Sequence, residues 1–158
     1  QIKVIHSHWL YPFPRHPARL SFDTALICVK DWASLIGVRS QLFLLDSIAL
    51  ISNEQANAIV ISGSHGGRSA AEFVLALSQR PSCVFFNDAG GGKDDAGKVA
   101  LTMLQSHGIP CICYSHMSAR IGEAQDGYDN GLVSGLNELA KALGIELNMP
   151  VDEAVKLC

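Results

Sequence analysis

Charge is thin in this chain. Only 17% of its 158 residues are Asp, Glu, Lys or Arg, and the net charge is −3. Aromatic residues make up 7%, and proline occupies six positions. Residues 1–45 hold five Lys/Arg against Asp23 and Asp31, a balance of +3, whereas residues 46–158 carry −6. Neither half shows the concentrated basic face, or the interleaved basic and aromatic stripe, of a nucleic-acid binder. A membrane span is not expected either, because no run of about 18 uncharged apolar residues occurs. The longest apolar candidate, Ala25–Val29, is cut by Lys30 and Asp31.

Cysteine is present without a framework. Cys28, Cys83, Cys111, Cys113 and Cys158 form no CxxC pair and no zinc-ligand spacing. Cys83, Cys111 and Cys113 sit in apolar, strand-like runs, where a free thiol behaves as a small buried hydrophobe. An odd count of this kind suits a reducing compartment. Ile2–Leu10 carries two His and a Lys in place of the apolar core of a signal peptide, so the expected location is cytoplasmic.

Apolar residues are plentiful, at 48%. A chain of this length buries enough of them to fold as one domain, 1–158, without metal or disulfide. Residues 1–20, with Pro12, Pro14 and Pro17, read as an extended or irregular segment, and Phe22–Ile36 as a helix. Gln41–Leu45 reads as a strand, and Ser47–Ser52 as a short helix or a second strand. From Asn57 the chain repeats strand, glycine loop, helix. The first unit is Ala58–Ser62, the loop 63–67 and a helix over Ser69–Ser78. The second is Cys83–Phe86, the loop 87–92 and a helix from about Asp94 to His107, stopped by Gly108. The third is Pro110–Tyr114 and the loop 115–122, followed by an acidic stretch, Glu123–Asp129, and a last helix over Leu132–Leu143.

Such alternation predicts an α/β domain with βαβ crossovers. The expected architecture is a three-layer Rossmann-like or flavodoxin-like domain around a mainly parallel sheet of four or five strands. Ligands in such domains bind beyond the carboxyl ends of the strands, near a switch in strand order. Three polar, glycine-rich loops converge on that edge.

SGSHGG is not the dinucleotide fingerprint, and GGGKDD is not a Walker A loop, because the glycine spacings differ. The side chains carry the chemistry instead. Ser64 or Ser118 could attack a substrate, His65 or His116 could take the proton, and Asp88 could orient the imidazole. Backbone N–H groups of Gly66 and Gly67, or of Gly90, Gly91 and Gly92, could form an oxyanion hole. Lys93 or Arg120 could hold an anionic substrate group, with Asn87 beside them. The expected function is hydrolysis of a small anionic amide or ester. Isomerisation or elimination, with the same His and Asp as proton carriers, remains open. No GxSxG elbow is present, which sets the chain apart from ordinary α/β-hydrolases.

Two alternatives stand beside this. His65, Asp88 and His116, joined by His6 and His8, could bind a catalytic divalent metal, although no tight ligand spacing such as HExxH occurs. Equally, the glycine cradle could serve a non-catalytic subunit that binds an anionic metabolite. Each residue also has a plainer reading. Ser62 and Ser115 can close their own turns, and Asp94 or Asp95 can cap a helix. His107 can serve a helix C-terminus, Arg120 can pair with Glu123 or Asp126, and His16 has no evident role. A mean hydropathy of +0.20 predicts apolar surface covered by self-association into a homo-oligomer.

Overall fold

The structure, a computed structural model, describes residues 40–158. The expected helix over Phe22–Ile36, the segment 1–20 with its three His, and Cys28 lie outside the described residues. Five strands pair into one sheet: β1 (Leu42–Leu45), β2 (Ile59–His65), β3 (Cys83–Asn87), β4 (Cys111–Tyr114) and β5 (Val133–Leu136). Strands β1 to β4 are parallel, and β5 runs antiparallel to β4. The helices are α1 (Arg68–Leu75), α2 (Ala100–Gln105), α3 (Ala124–Asn130), α4 (Glu138–Ala142) and α5 (Val151–Val155). Ser47–Ser52 contains one 3-10 turn, Ile48–Leu50, capped by Ser47. No described helix is long and apolar enough to cross a membrane.

Ile59–Ile61, Cys83–Phe86 and Cys111–Tyr114 of the central strands are buried and apolar, as strands covered by helices on both faces must be. Successive side chains alternate between those faces. Val60, Val84, Phe86, Cys111 and Cys113 pack with Ala70, Ala71 and Val74 of α1 and with Ala100 and Leu104 of α2. Ile59, Ile61, Cys83, Phe85, Ile112 and Tyr114 pack with Ala140 of α4 and with Val151 and Ala154 of α5. A mainly parallel, helix-covered α/β sheet is therefore present.

Strand order, which the sequence left open, follows the chain, β1-β2-β3-β4-β5, so the described strands contain no reversal and no switch point. Right-handed crossovers that all step the same way place α1 and α2 on one face, as observed.

The last expected helix, Leu132–Leu143, is two elements. Val133–Leu136 pairs with β4, and α4 begins only after Asn137. Val133, Ser134 and Gly135 are indifferent to poor helix formers, and the outer edge of β4 supplies hydrogen bonds that a helix would otherwise provide. Asn137 fixes the break. Its Oδ1 accepts from the Ala140 and Cys111 N–H groups, and its Nδ2 donates to the Ile109 carbonyl. The acidic stretch contains α3, whose Ala124 N–H donates to the Asp46 carboxylate at the end of β1. The expected 94–107 helix starts late. Lys93–Lys98 is 3-10 with left-handed Asp94 and Asp95 (φ 56° each), and regular helix begins at Ala100.

Candidate functional site

Strand register brings the three loops to one edge. His65 of β2 pairs with Asn87 of β3, which pairs with Tyr114 of β4. The residues that follow each strand therefore emerge side by side.

Asp88 is the centre of this edge. Its Oδ1 accepts from the Gly90 N–H at 2.9 Å, the His116 N–H at 3.0 Å and the His116 ring Nδ1 at 2.8 Å. Its Oδ2 accepts from Ser134 Oγ at 2.7 Å. Burial alone would raise the carboxyl's pKa. Hydrogen bonds from Gly90, Ser134 and His116 outweigh that and lower it to about 2. An ionised Asp88 requires the proton of a neutral His116 to sit on Nδ1, which leaves the Nε2 lone pair open. No described residue bonds Nε2, and the side chain is 42% exposed. Gly90 keeps the ring accessible, because a Cβ there would lie 3.3 Å from His116 Cε1, and its φ of +71° favours glycine.

Ser134 escaped the sequence reading because its segment looked helical. It reaches Asp88 through a β-bulge: Val133 pairs with Tyr114 and Gly135 with Cys113, so Ser134 is the extra residue. Such a bulge re-aims a side chain. Lys98 stands nearby on the same side of β5. Its Nζ lies 3.3 Å from Asp95, and together with Ser134 it lines a 740 Å³ cavity along β5.

His65 is arranged in the opposite sense. Its Nδ1 accepts from the Gly67 N–H at 3.1 Å, so the neutral ring carries its hydrogen on Nε2 and acts as a donor. Ser64 and His65 belong to β2 itself, which runs on past the expected Ala58–Ser62. Between Ile61 and His65 β2 uses four steps where β3 uses two, an irregularity that leaves two of the residues Ser62, Gly63 and Ser64 without a partner in β3. Ser64 Oγ accepts from the Ile48 N–H. Ser64 and His65 line a 360 Å³ depression with Asp46, Ser69, Phe73 and Ile121, and neither Asp88 nor His116 lines it. The structure thus divides the expected site residues between two places on one edge.

Several expected roles are taken by structural work. The Gly66 N–H donates to the Asn87 carbonyl, the Gly67 N–H to His65, the Gly90 N–H to the Asp88 carboxylate and the Gly91 N–H to the Asp88 carbonyl. None of these four is free to hold an oxyanion. Gly66 is needed for close packing, since a Cβ would meet the Gly97 carbonyl at 3.1 Å and Cys113 Sγ at 3.3 Å. Ser118 Oγ donates to the Ser115 carbonyl and accepts from the Leu132 N–H, bonds that hold it in its own turn. Asn87 is buried, donating to the Ala119 carbonyl and accepting from the Ala89 N–H. Arg120 is exposed and pairs with Glu123 at 3.3 Å and Asp126 at 3.8 Å. Lys93 is exposed and forms no ion pair among the described residues. Ser62 and Ser115 accept from nearby backbone N–H groups, and the His107 ring meets the Met103 carbonyl at a helix end.

No group of three His, Cys, Asp or Glu side chains among the described residues is placed to hold a metal ion. The set His65, Asp88 and His116 is not assembled, because both Asp88 oxygens already accept hydrogen bonds and His65 faces another depression. Comparison with known proteins gives no matching family model, no matching curated protein and no matching solved structure.

Proposed function

We propose that the chain is an acid–base enzyme acting on a small anionic ester or amide, with His116 as its proton carrier. The observation that carries this reading is the Asp88–His116 pair, 2.8 Å apart, with Nε2 open at the carboxyl edge. Asp88 anchors both the ring and the backbone N–H of His116, so the imidazole is held in one tautomer and one orientation before substrate arrives. In the proposed reaction Nε2 takes a proton from a water molecule, the water attacks the acyl carbon, and the imidazolium returns the proton to the leaving group. Asp88 stabilises the imidazolium without taking the proton, consistent with its low pKa. Water replaces serine as nucleophile because Ser118 is committed to its turn and Ser64 is set in a separate depression. Lys93, exposed beside Gly92 and without an ion pair among the described residues, supports an anionic substrate.

A Rossmann-like or flavodoxin-like classification belongs to the same proposal. Four parallel strands covered on both faces support it, although their sequential order lacks the strand reversal of those folds. Cytoplasmic location is supported by the buried thiols of Cys111 and Cys113. Self-association is supported by exposed Leu50, Phe73, Met117 and Ile121.

The test is hydrolysis of a panel of small carboxylate-bearing esters and amides by the full chain and by its His116→Ala and His65→Ala variants. His116→Ala should lose about 10²–10⁴-fold in kcat, the usual weight of a general base. His65→Ala should retain most of its turnover. Absence of turnover across the panel, or full activity in His116→Ala with an unchanged circular dichroism spectrum, would overturn the reading.

A further inference from the structure

Cys83 begins β3, at the end of the strand away from Asp88, and is buried. Cys158 follows α5 and is half-buried. Their sulfurs lie 2.9 Å apart although 75 residues separate them in the chain. Closing to a disulfide bond of about 2.05 Å needs a shift of roughly 0.9 Å, small for a side chain that follows a short surface helix. Cys111 and Cys113 differ, because both pack on the opposite face of the sheet from Cys83.

We propose that Cys83 and Cys158 form a reversible thiol–disulfide switch, oxidised by low-molecular-weight disulfides such as oxidised glutathione, that pins α5 to the sheet. The accessible Cys158 thiolate attacks one sulfur of oxidised glutathione, breaks its S–S bond and releases one glutathione thiolate. Cys83 then attacks the Cys158 sulfur of the mixed disulfide, forms the protein S–S bond and releases the second glutathione. Two electrons pass from the two protein thiols to the oxidant, and the two thiol protons end on the two glutathiones. Burial raises the Cys83 thiol well above the ordinary cysteine value, so the second step is the slower one. The product closes a covalent loop from the start of β3 to the far side of α5, which restricts the unfolded chain.

The experiment treats the folded full chain with oxidised glutathione and maps its peptides by mass spectrometry, without reduction and again after dithiothreitol. The expected product is a single linkage between the peptides of Cys83 and Cys158, reversed by reductant and accompanied by a Tm several degrees higher. Cys158→Ser should abolish the linkage and leave Cys83 unmodified. An adduct that stops at glutathionylated Cys158, no reaction at Cys158, a linkage of Cys83 to any other cysteine, or an unchanged Tm in the linked form would overturn the proposal. The Cys158→Ser variant keeps the buried thiol in place, so loss of the linkage there cannot be ascribed to a collapsed core.

Discussion

Asp88 shows how a single side chain acquires a role that its residue type does not dictate. An aspartate after a strand ordinarily closes a turn, and here Oδ1 does so by accepting from the Gly90 N–H. The same oxygen also holds His116, and Oδ2 holds Ser134, so one carboxylate joins three segments. The stability consequence has a definite sign. The folded-state pKa of about 2 lies below the unfolded value near 3.9, so the contribution is complete above about pH 4 and is lost as pH falls towards 2. It amounts to about 2–3 kcal/mol. Urea unfolding of the wild type across pH 2–5 should show this loss. Asp88→Asn should be less stable at pH 7 by about 2 kcal/mol and show a shallower slope through that window. Equal slopes for the two proteins would remove Asp88 from this role.

Elements carry the next level of specification, chiefly through irregularities. The bulge in β5 turns Ser134 onto Asp88, a placement that regular antiparallel pairing would not give. Ser134→Ala should cost about 1 kcal/mol and move the acid edge of stability to higher pH, since one of the bonds that depress the carboxyl is gone. A pH–stability curve superimposable on wild type would contradict that link. In β2, Gly63 lies where a Cβ would meet backbone on two sides: the Gly122 carbonyl carbon at 2.6 Å and the Asp46 carbonyl oxygen at 2.8 Å. Backbone cannot yield as a side chain does, so Gly63→Ala should destabilise by about 3 kcal/mol and lower Tm markedly. A Tm within a degree of wild type would show that the strand end accommodates the methyl group. The glycine here serves close packing, which the SGSHGG pattern shares with loops that approach a ligand.

At the scale of the whole molecule, the two core clusters divide the strands by alternate residues, so adjacent Phe85 and Phe86 stabilise opposite faces. What remains outside the core is notable for its apolar content: Leu50 is 65% exposed, Met117 83% and Ile121 54%. Phe73 and Ile121 flank the same depression, and burying them against a second copy would remove apolar surface from water. Sedimentation equilibrium at micromolar concentration should give a mass above the 16.9 kDa of one chain, and Phe73→Glu should lower it. A single 16.9 kDa species in the wild type would contradict self-association.

Strands β2 to β4 were legible in the sequence because a strand buried on both faces must be a short, continuous, β-branched or aromatic run, and Ile59–Ile61, Cys83–Phe86 and Cys111–Tyr114 are such runs. Their alternation with glycine loops also placed Asp88 and His116 on one edge, since parallel pairing carries every strand end to the same side. The fifth strand was not legible: Val133–Leu136 has no signal stronger than its helical neighbours, and only the unpaired edge of β4 makes it a strand. Nor could the sequence divide Ser64 and His65 from Asp88 and His116, or show that Ser118 and the Gly66, Gly67, Gly90 and Gly91 N–H groups were already bonded. Periodicity records which residues must leave water. It does not record which donor meets which acceptor, because that depends on register and bulges set by strands far apart in the chain, and only the tertiary structure decides it.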